Sequence, residues 1–278
     1  MYSNLIILPC YGGLEFNMIK KLGLQLYTVR EYMRDPHILD YTFKRLKEIG
    51  YDEAQTAGYA VDIPTYAKLA KDNGITIVGT QHCSMDDLLA DPDKAMREHE
   101  ILGTTNIGIG GMPAWARENG DAVRNFCEKA NQFAETVNKN GFKFTYHHHS
   151  FEFKKVDGDL TMMDILVDKL DPAKTSFVLD TYWVQHGGGD VRAWIEKLAG
   201  RVDILHLKDM AVGKDGPFIT SVGNGNINFK GAVEAAEKSG VKYYVVEQDA
   251  NWESPKWSGS NAFKAVESSA EYIKANFM

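Results

Sequence analysis

The chain has 278 residues, 44% of them hydrophobic and 25% charged, with a formal net charge of -7. That balance suits a globular protein with a large core of its own, and it excludes a disulfide-framed scaffold, because Cys10, Cys83 and Cys127 are odd in number, widely spaced and in no CxxC pair. They read as reduced thiols of a cytoplasmic protein; the negative charge makes nucleic acid a poor partner, and no apolar run is long enough to span a membrane.

Residues 1–17 carry Leu5-Ile6-Ile7-Leu8 without a basic leader, and the run is too short for a secretory signal. They are expected to be an N-terminal extension ahead of one domain over residues 18–278. From Met18 onward, strand and helix patterns alternate eight times. The first strand is expected over Leu22–Tyr27, followed by a helix in which Leu39, Phe43, Leu46 and Ile49 share a face and Gly50 stops it. Further strands are expected at Asp52–Gln55, Thr76–Thr80, Asn106–Ile109 and Lys143–His147. The helix before the last of these places Val123, Phe126, Cys127, Ala130, Phe133, Ala134 and Val137 at one period and ends by Gly141. The final strands are expected at Ser176–Asp180, Asp203–Leu207 and Tyr243–Glu247, with a helix from about Phe229 to Ser239 stopped by Gly240. Phe177-Val178-Leu179 and Tyr244-Val245-Val246 are apolar without alternation, as strands buried on both faces are. No GxGxxG follows the first strand, and polar clusters recur after many strands. The expected fold is therefore a single-domain α/β protein, a (β/α)8 TIM barrel.

In such a barrel, chemistry collects just beyond the C-terminal ends of the strands. Those positions hold Gln81 and His82, the run Tyr146-His147-His148-His149-Ser150-Phe151-Glu152-Phe153, then Asp180-Thr181-Tyr182-Trp183, His206-Leu207-Lys208-Asp209 and Glu247-Gln248-Asp249. A carboxylate that closes an apolar strand is costly unless something pairs it. Asp180 and Glu247 each follow three apolar residues, and His206 follows Ile204-Leu205. With Glu152 they would converge at the barrel mouth as three carboxylates and one imidazole. That donor set suits one divalent metal ion such as Mn, Mg, Co, Fe or Zn and leaves positions open to substrate oxygens. Each residue alone also has a plain reading as an ion pair, turn or cap.

Alternation along a strand gives His147 and His149 one face and His148 the other. One of the pair is expected to bind substrate or orient a ligand; the alternative is a hydrogen-bonded histidine in a polar pocket. His82 is a further substrate-binding candidate. Lys208 points the same way as His206 and could hold a hydroxyl or enolate, or pair with Asp209 or another acid. Trp183 and Trp252 could stack on a sugar face or serve packing. Gly223-Asn224-Gly225 has the look of a phosphate cradle, although a plain turn is the simpler reading.

These residues, together with Leu24-Gln25-Leu26-Tyr27-Thr28-Val29-Arg30, resemble the xylose-isomerase-like barrel family over about residues 19–276. That family includes sugar isomerases and epimerases, inosose dehydratases and apurinic-site endonucleases. The resemblance implies a metal held by Glu152, Asp180, His206 and Glu247, with Glu152 and Glu247 also acting as the proton-transfer pair of a sugar or keto-sugar isomerase or epimerase. Two departures stand out. The epimerases place their glutamate at the strand end, where this chain has Tyr146-His147. They also carry a histidine three residues after the aspartate, where this chain has Trp183. The Tyr-His-x-His pattern is closer to the dehydratase-type branch, so water loss from an inosose or 3-keto-sugar is the alternative. A nuclease is disfavoured by charge and by Trp183, and a non-catalytic sugar-binding protein by the intact carboxylates. The implied partner is a small sugar or polyol. Dimers or tetramers are common in similar proteins, so a homo-oligomer is compatible with the resemblance.

Overall fold

The structure, a computed structural model, describes residues 18–249 and 261–278. The expected extension at 1–17, Cys10 and Trp252 lie outside the described residues. Eight parallel strands form the sheet: β1 Leu22–Gln25, β2 Glu53–Thr56, β3 Thr76–Thr80, β4 Asn106–Ile109, β5 Lys143–His147, β6 Thr175–Asp180, β7 Val202–Leu207 and β8 Tyr243–Val246. Apart from one seam, each pairs with its sequence neighbours, and β1 pairs with β8, so the sheet curls into the expected TIM barrel.

That seam lies between β3 and β4, which share no continuous ladder. Side chains bridge it instead. Asn106 Nδ2 donates to the Val78 carbonyl at 2.9 Å, and the Gly108 amide donates to Thr80 Oγ1 at 3.2 Å. A Cβ on Gly108 would sit 2.1 Å from the Thr80 carbonyl oxygen, so glycine allows this close approach.

Helices follow the strands where apolar periodicity and caps coincide. Asp35 caps Pro36–Ile49, with Pro36 in the first turn and Gly50 left-handed at its end. Asn119 caps Gly120–Asn138, whose buried face is the stripe from Val123 to Val137. The first strand is shorter than its pattern suggests. The Gln25 side chain accepts from the Tyr27 amide and caps a 3-10 turn over Leu26–Tyr32, which ends the strand at Gln25.

The apolar core lies mostly between sheet and helices. A second, small cluster of Val78, Val178, Ile204 and Val245 fills the barrel interior. Burying each of these side chains is worth about 1.5–3 kcal/mol, and together they form an apolar floor. Because residues two apart on a strand share a face, the next inward positions above that floor are Asp180, His206 and Glu247. The mouth is thus a polar layer standing on an apolar plug. No helix among the described residues is long and apolar enough to cross a membrane.

Candidate active site

Four side chains meet above the floor. His147, Asp180, His206 and Glu247 each offer one donor atom, these atoms all lie within 4.8 Å of one another, and all four residues are buried. Asp180 divides its carboxylate. Oδ1 accepts from the Trp183 amide at 3.0 Å and caps the short helix Thr181–His186, while Oδ2 turns to the cluster. His147 places Nδ1 3.2 Å from the Gly110 carbonyl. A carbonyl only accepts, so Nδ1 carries a proton, and in the neutral imidazole Nε2 is an acceptor. His147 Nε2 and Asp180 Oδ2 lie 3.5 Å apart, and neither has a hydrogen-bond partner among the described residues. Two buried acceptor atoms facing each other in this way are what a cation would satisfy.

The metal ligands and proton-transfer pair implied by resemblance are not all brought together. Glu152 is buried, but its carboxylate is held elsewhere: Tyr146 donates its hydroxyl hydrogen at 2.6 Å and the His149 amide donates at 2.8 Å. His147, not Glu152, stands with the other three. The physical reason is local. Glu152 sits in a 3-10 turn after the strand, which folds its side chain back under the loop, whereas His147 is the last residue of β5 and faces inward.

Lys208 is the cation of the site. It is fully buried, with Nζ 3.1 Å from Glu247 Oε2, 3.0 Å from Asp249 Oδ1 and 3.6 Å from Asp180 Oδ2, and it lies 4.8 Å above the Trp183 ring. Its ion pairs go to these three acids and not to Asp209. Asp209 instead accepts the amides of Gly223, Gly225, Met210 and Ile227. The Gly223-Asn224-Gly225 loop therefore cradles a carboxylate of this chain rather than a phosphate. A Cβ on Gly225 would lie 2.3 Å from Asp209 Oδ1, which accounts for glycine there. Asp209 and Thr181, which accepts from the Lys208 amide at 3.0 Å, fix the backbone around Lys208.

Formal charges explain the titration behaviour. Three carboxylates face one ammonium, so with His206 uncharged two negative charges remain, a match for a divalent ion. Burial raises the Glu247 carboxyl, but Lys208 and His206 outweigh it and hold it down at about 2. Asp180 is likewise driven low, with Lys208 and the two imidazoles overcoming burial. Burial disfavours a charged His206, yet Glu247 and Asp180 raise it to about 9. Burial, with His147 nearby, depresses His149 to about 3.

A cavity of about 310 Å³ opens onto the cluster, lined by Tyr27, Ala57, Gln81, Gly110, His147, His149, Glu247 and Asp249. That is the lower end of small-ligand pockets. His149 lines it beside His147, and its ring lies 5.2 Å from Trp183. His148 faces away, with Nε2 accepting the Asp180 amide at 3.0 Å. His82 belongs to a separate cleft with Asp87, Lys94 and Glu98, and burial keeps it near 4.

Sequence reasoning named Gln81 but missed the rest of the opposite wall. Gln25 and Gln55 are fully buried at the ends of β1 and β2, and Gln81 follows β3. Gln25 Nε2 donates to Gln55 Oε1 at 3.1 Å and to Gln81 Oε1 at 2.7 Å, and Gln55 Oε1 lies 2.6 Å from His206 Nε2. The signal that could have found them was a glutamine at the end of three successive strands, in the same place that Asp180 takes in β6.

The comparisons with known proteins agree with this architecture. An inosose dehydratase of Geobacillus thermodenitrificans is 26% identical over 154 residues, 49% of this chain and 49% of that protein, so the match spans about half the length of the relative. A sugar phosphate isomerase/epimerase of Parabacteroides distasonis superposes with a TM-score of 0.79 at 25% identity, covering 96% of each chain. An L-ribulose 3-epimerase shares the fold, with a TM-score of 0.67 at 13% identity over 92% of this chain and 94% of that one. A family model matches residues 43–275. With eight parallel strands around a polar mouth, the chain belongs to the xylose isomerase-like TIM barrel family.

Proposed function

We propose that the chain is a divalent-metal-dependent enzyme that transfers a proton next to the carbonyl of a sugar or keto-sugar, isomerising or epimerising it through an ene-diolate. The observation that carries this reading is the convergence of His147, Asp180, His206 and Glu247, with His147 Nε2 and Asp180 Oδ2 buried and without a hydrogen-bond partner among the described residues. These four would hold the ion; two nitrogens and two carboxylate oxygens suit Mn, Fe, Co or Zn better than Mg. When bound, such an ion polarises the substrate carbonyl and acidifies the adjacent C–H.

The chain's own groups divide the remaining work. Glu247, ionised over the working pH range, takes the proton on one side. Lys208, a buried ammonium held among acids, donates hydrogen bonds to the oxygen that gains charge. His149 lines the cavity as a neutral imidazole that can hydrogen-bond a substrate oxygen, while the proton taken up by Glu247 is the one returned to the ene-diolate. Trp183 packs beside Lys208 and His149 and supplies an apolar wall for a sugar face. Glu152 acts indirectly, holding Tyr146 and the His149 backbone. The free thiols of half-buried Cys83 and buried Cys127 suit a reducing cytoplasm.

A second reading, dehydration of an inosose or 3-keto-sugar, is favoured by two observations. The residue at the end of β5 is His147 where a glutamate would complete the epimerase pair, and a relative that matches about half of the chain is an inosose dehydratase. Both readings begin with the same proton removal, and they part when the ene-diolate either takes a proton or loses a hydroxyl as water.

The test is solvent exchange. Manganese-loaded protein is incubated in D2O with a panel of ketoses and inososes and followed by NMR. Deuterium appearing next to the carbonyl with a new epimer or isomer supports the first reading. Loss of water supports the second. Full turnover by Glu247→Gln on any identified substrate sinks the proton-transfer role of Glu247.

A further inference from the structure

We propose that Gln55 is a positioning residue that holds the Nε2 proton of His206, leaving Nδ1 to face Asp180 and Glu247, and that the Tyr27 backbone amide sets this direction through Gln25. The inference rests on the metal-site reading in one respect: Nδ1 is then the nitrogen that would meet the ion.

The argument is one of donors and acceptors. The Tyr27 amide can only donate, and it lies 3.2 Å from Gln25 Oε1. That contact fixes which end of the Gln25 carboxamide is oxygen. Its Nε2 then faces Gln55 and Gln81, and an amide nitrogen cannot accept, so both partners present oxygen. Gln55 Oε1 is 2.6 Å from His206 Nε2. A carbonyl oxygen only accepts, so Nε2 carries the hydrogen in the neutral and the charged imidazole alike. One backbone N–H thus settles the orientation of three carboxamides and the protonated nitrogen of a histidine on β7. Reversing Gln25 or Gln55 alone would set two donors or two acceptors against each other in a buried place.

His206 Nδ1 is left 3.1 Å from Glu247 Oε2 and 3.5 Å from Asp180 Oδ2. His147 reaches the same condition by a shorter route, its Nδ1 proton held by the Gly110 carbonyl and its Nε2 turned inward. The two imidazoles thus present opposite nitrogens to one point, each fixed by the hydrogen bond at its far side.

The test uses full-length protein with 15N-labelled histidine. In metal-stripped wild type, His206 is expected to show a slowly exchanging Nε2–H resonance, assigned by its absence in His206→Asn. Gln55→Leu should lose that resonance to fast exchange, and Gln55→Glu, whose carboxylate still accepts, should keep it. Zinc affinity should fall about 10- to 100-fold in Gln55→Leu and stay within a few-fold of wild type in Gln55→Glu. If Gln55→Leu does not fold, Gln25→Leu takes its place, with Nε2–H exchange expected to quicken at least about tenfold. An unchanged Nε2–H resonance in Gln55→Leu, or unchanged exchange in Gln25→Leu, overturns the inference. So does a wild-type zinc form in which Nδ1 carries the proton. If the wild type binds no zinc yet shows the protected Nε2–H, and Gln55→Leu loses it, the positioning role stands and the metal reading falls.

Discussion

The mouth of the barrel has two walls built on the same strand geometry but opposite chemistry. From β5 to β8 the strand ends present His147, Asp180, His206, Lys208 and Glu247, ionisable groups within a few ångströms of one another. From β1 to β3 they present Gln25, Gln55 and Gln81, which carry no charge at any pH and bond mainly to each other. Charged groups packed this closely answer to anything that changes their number, a proton or a metal ion included. Carboxamides respond only to loss of a partner. One wall is therefore suited to reaction, and the other to holding part of the first in a single orientation.

The largest effect should come from removing charge on the reactive wall. In the Asp180→Asn, Glu247→Gln double variant, the carboxamide introduced at the end of β6 still offers an oxygen to cap the Trp183 amide, so that cap is kept. Bound divalent metal, measured on dialysed protein, should drop from about one per chain to none, consistent with loss of charged ligands that dominate such sites. A variant that keeps its metal would mean the reactive wall has been assigned to the wrong residues.

Removing the cation tests the same wall from the other side. Lys208→Met leaves three acids without their ammonium. In metal-stripped protein that should cost about 3–5 kcal/mol, the usual consequence of stranding buried charge, and added manganese should recover much of it. Denaturant melts with and without metal give both numbers. A loss of the same size in the two conditions would show that Lys208 supports packing, not charge.

How much of each wall could be read in the sequence follows from the same contrast. Asp180 was legible because a carboxylate directly after Phe177-Val178-Leu179 needs an explanation, and His206 and Glu247 for like reasons. Gln25 and Gln55 gave no such signal, since glutamine at a strand end is unremarkable until its partners are known, and those lie 30 and 151 residues away. Glu152 shows the reverse case. A charge near a strand end invites a role at the mouth, but the turn after β5 delivers it to Tyr146. Strand limits were readable to within a residue or two wherever apolar runs were unbroken. At β1 the apolar run continued while the Gln25 side chain had already capped the next turn.

The pH dependence separates the walls more finely. Glu247 and Asp180 raise His206 to about 9 against the cost of burial. In the metal-stripped protein its pairing with the acids therefore contributes stability in full below about 6.5, lost as pH rises through about 9. A metal must displace the same proton, so apparent affinity should climb about tenfold per pH unit toward pH 9 and then level. Calorimetric titrations at three pH values measure the slope. A flat profile would mean that His206 is not a ligand.

The smallest expected effect falls on Glu152, the residue on which resemblance and geometry differ. Burial raises its carboxyl to about 7, against the hydrogen bonds from Tyr146 and the His149 amide. Its folded value lies above its unfolded one, so wild type should lose stability from this group as pH rises from about 4.5 through about 7. Glu152→Gln removes that titration. It keeps an oxygen for the Tyr146 hydroxyl but turns an NH2 toward the His149 amide, a mismatch that should cost about 1 kcal/mol. Relative to wild type, the variant should be at its worst near pH 4.5 and gain ground up to pH 7, with metal content unchanged throughout. Loss of metal in Glu152→Gln would instead return Glu152 to the ligand set. The turn after β5 would then have to open, releasing Tyr146, before the reactive wall is complete.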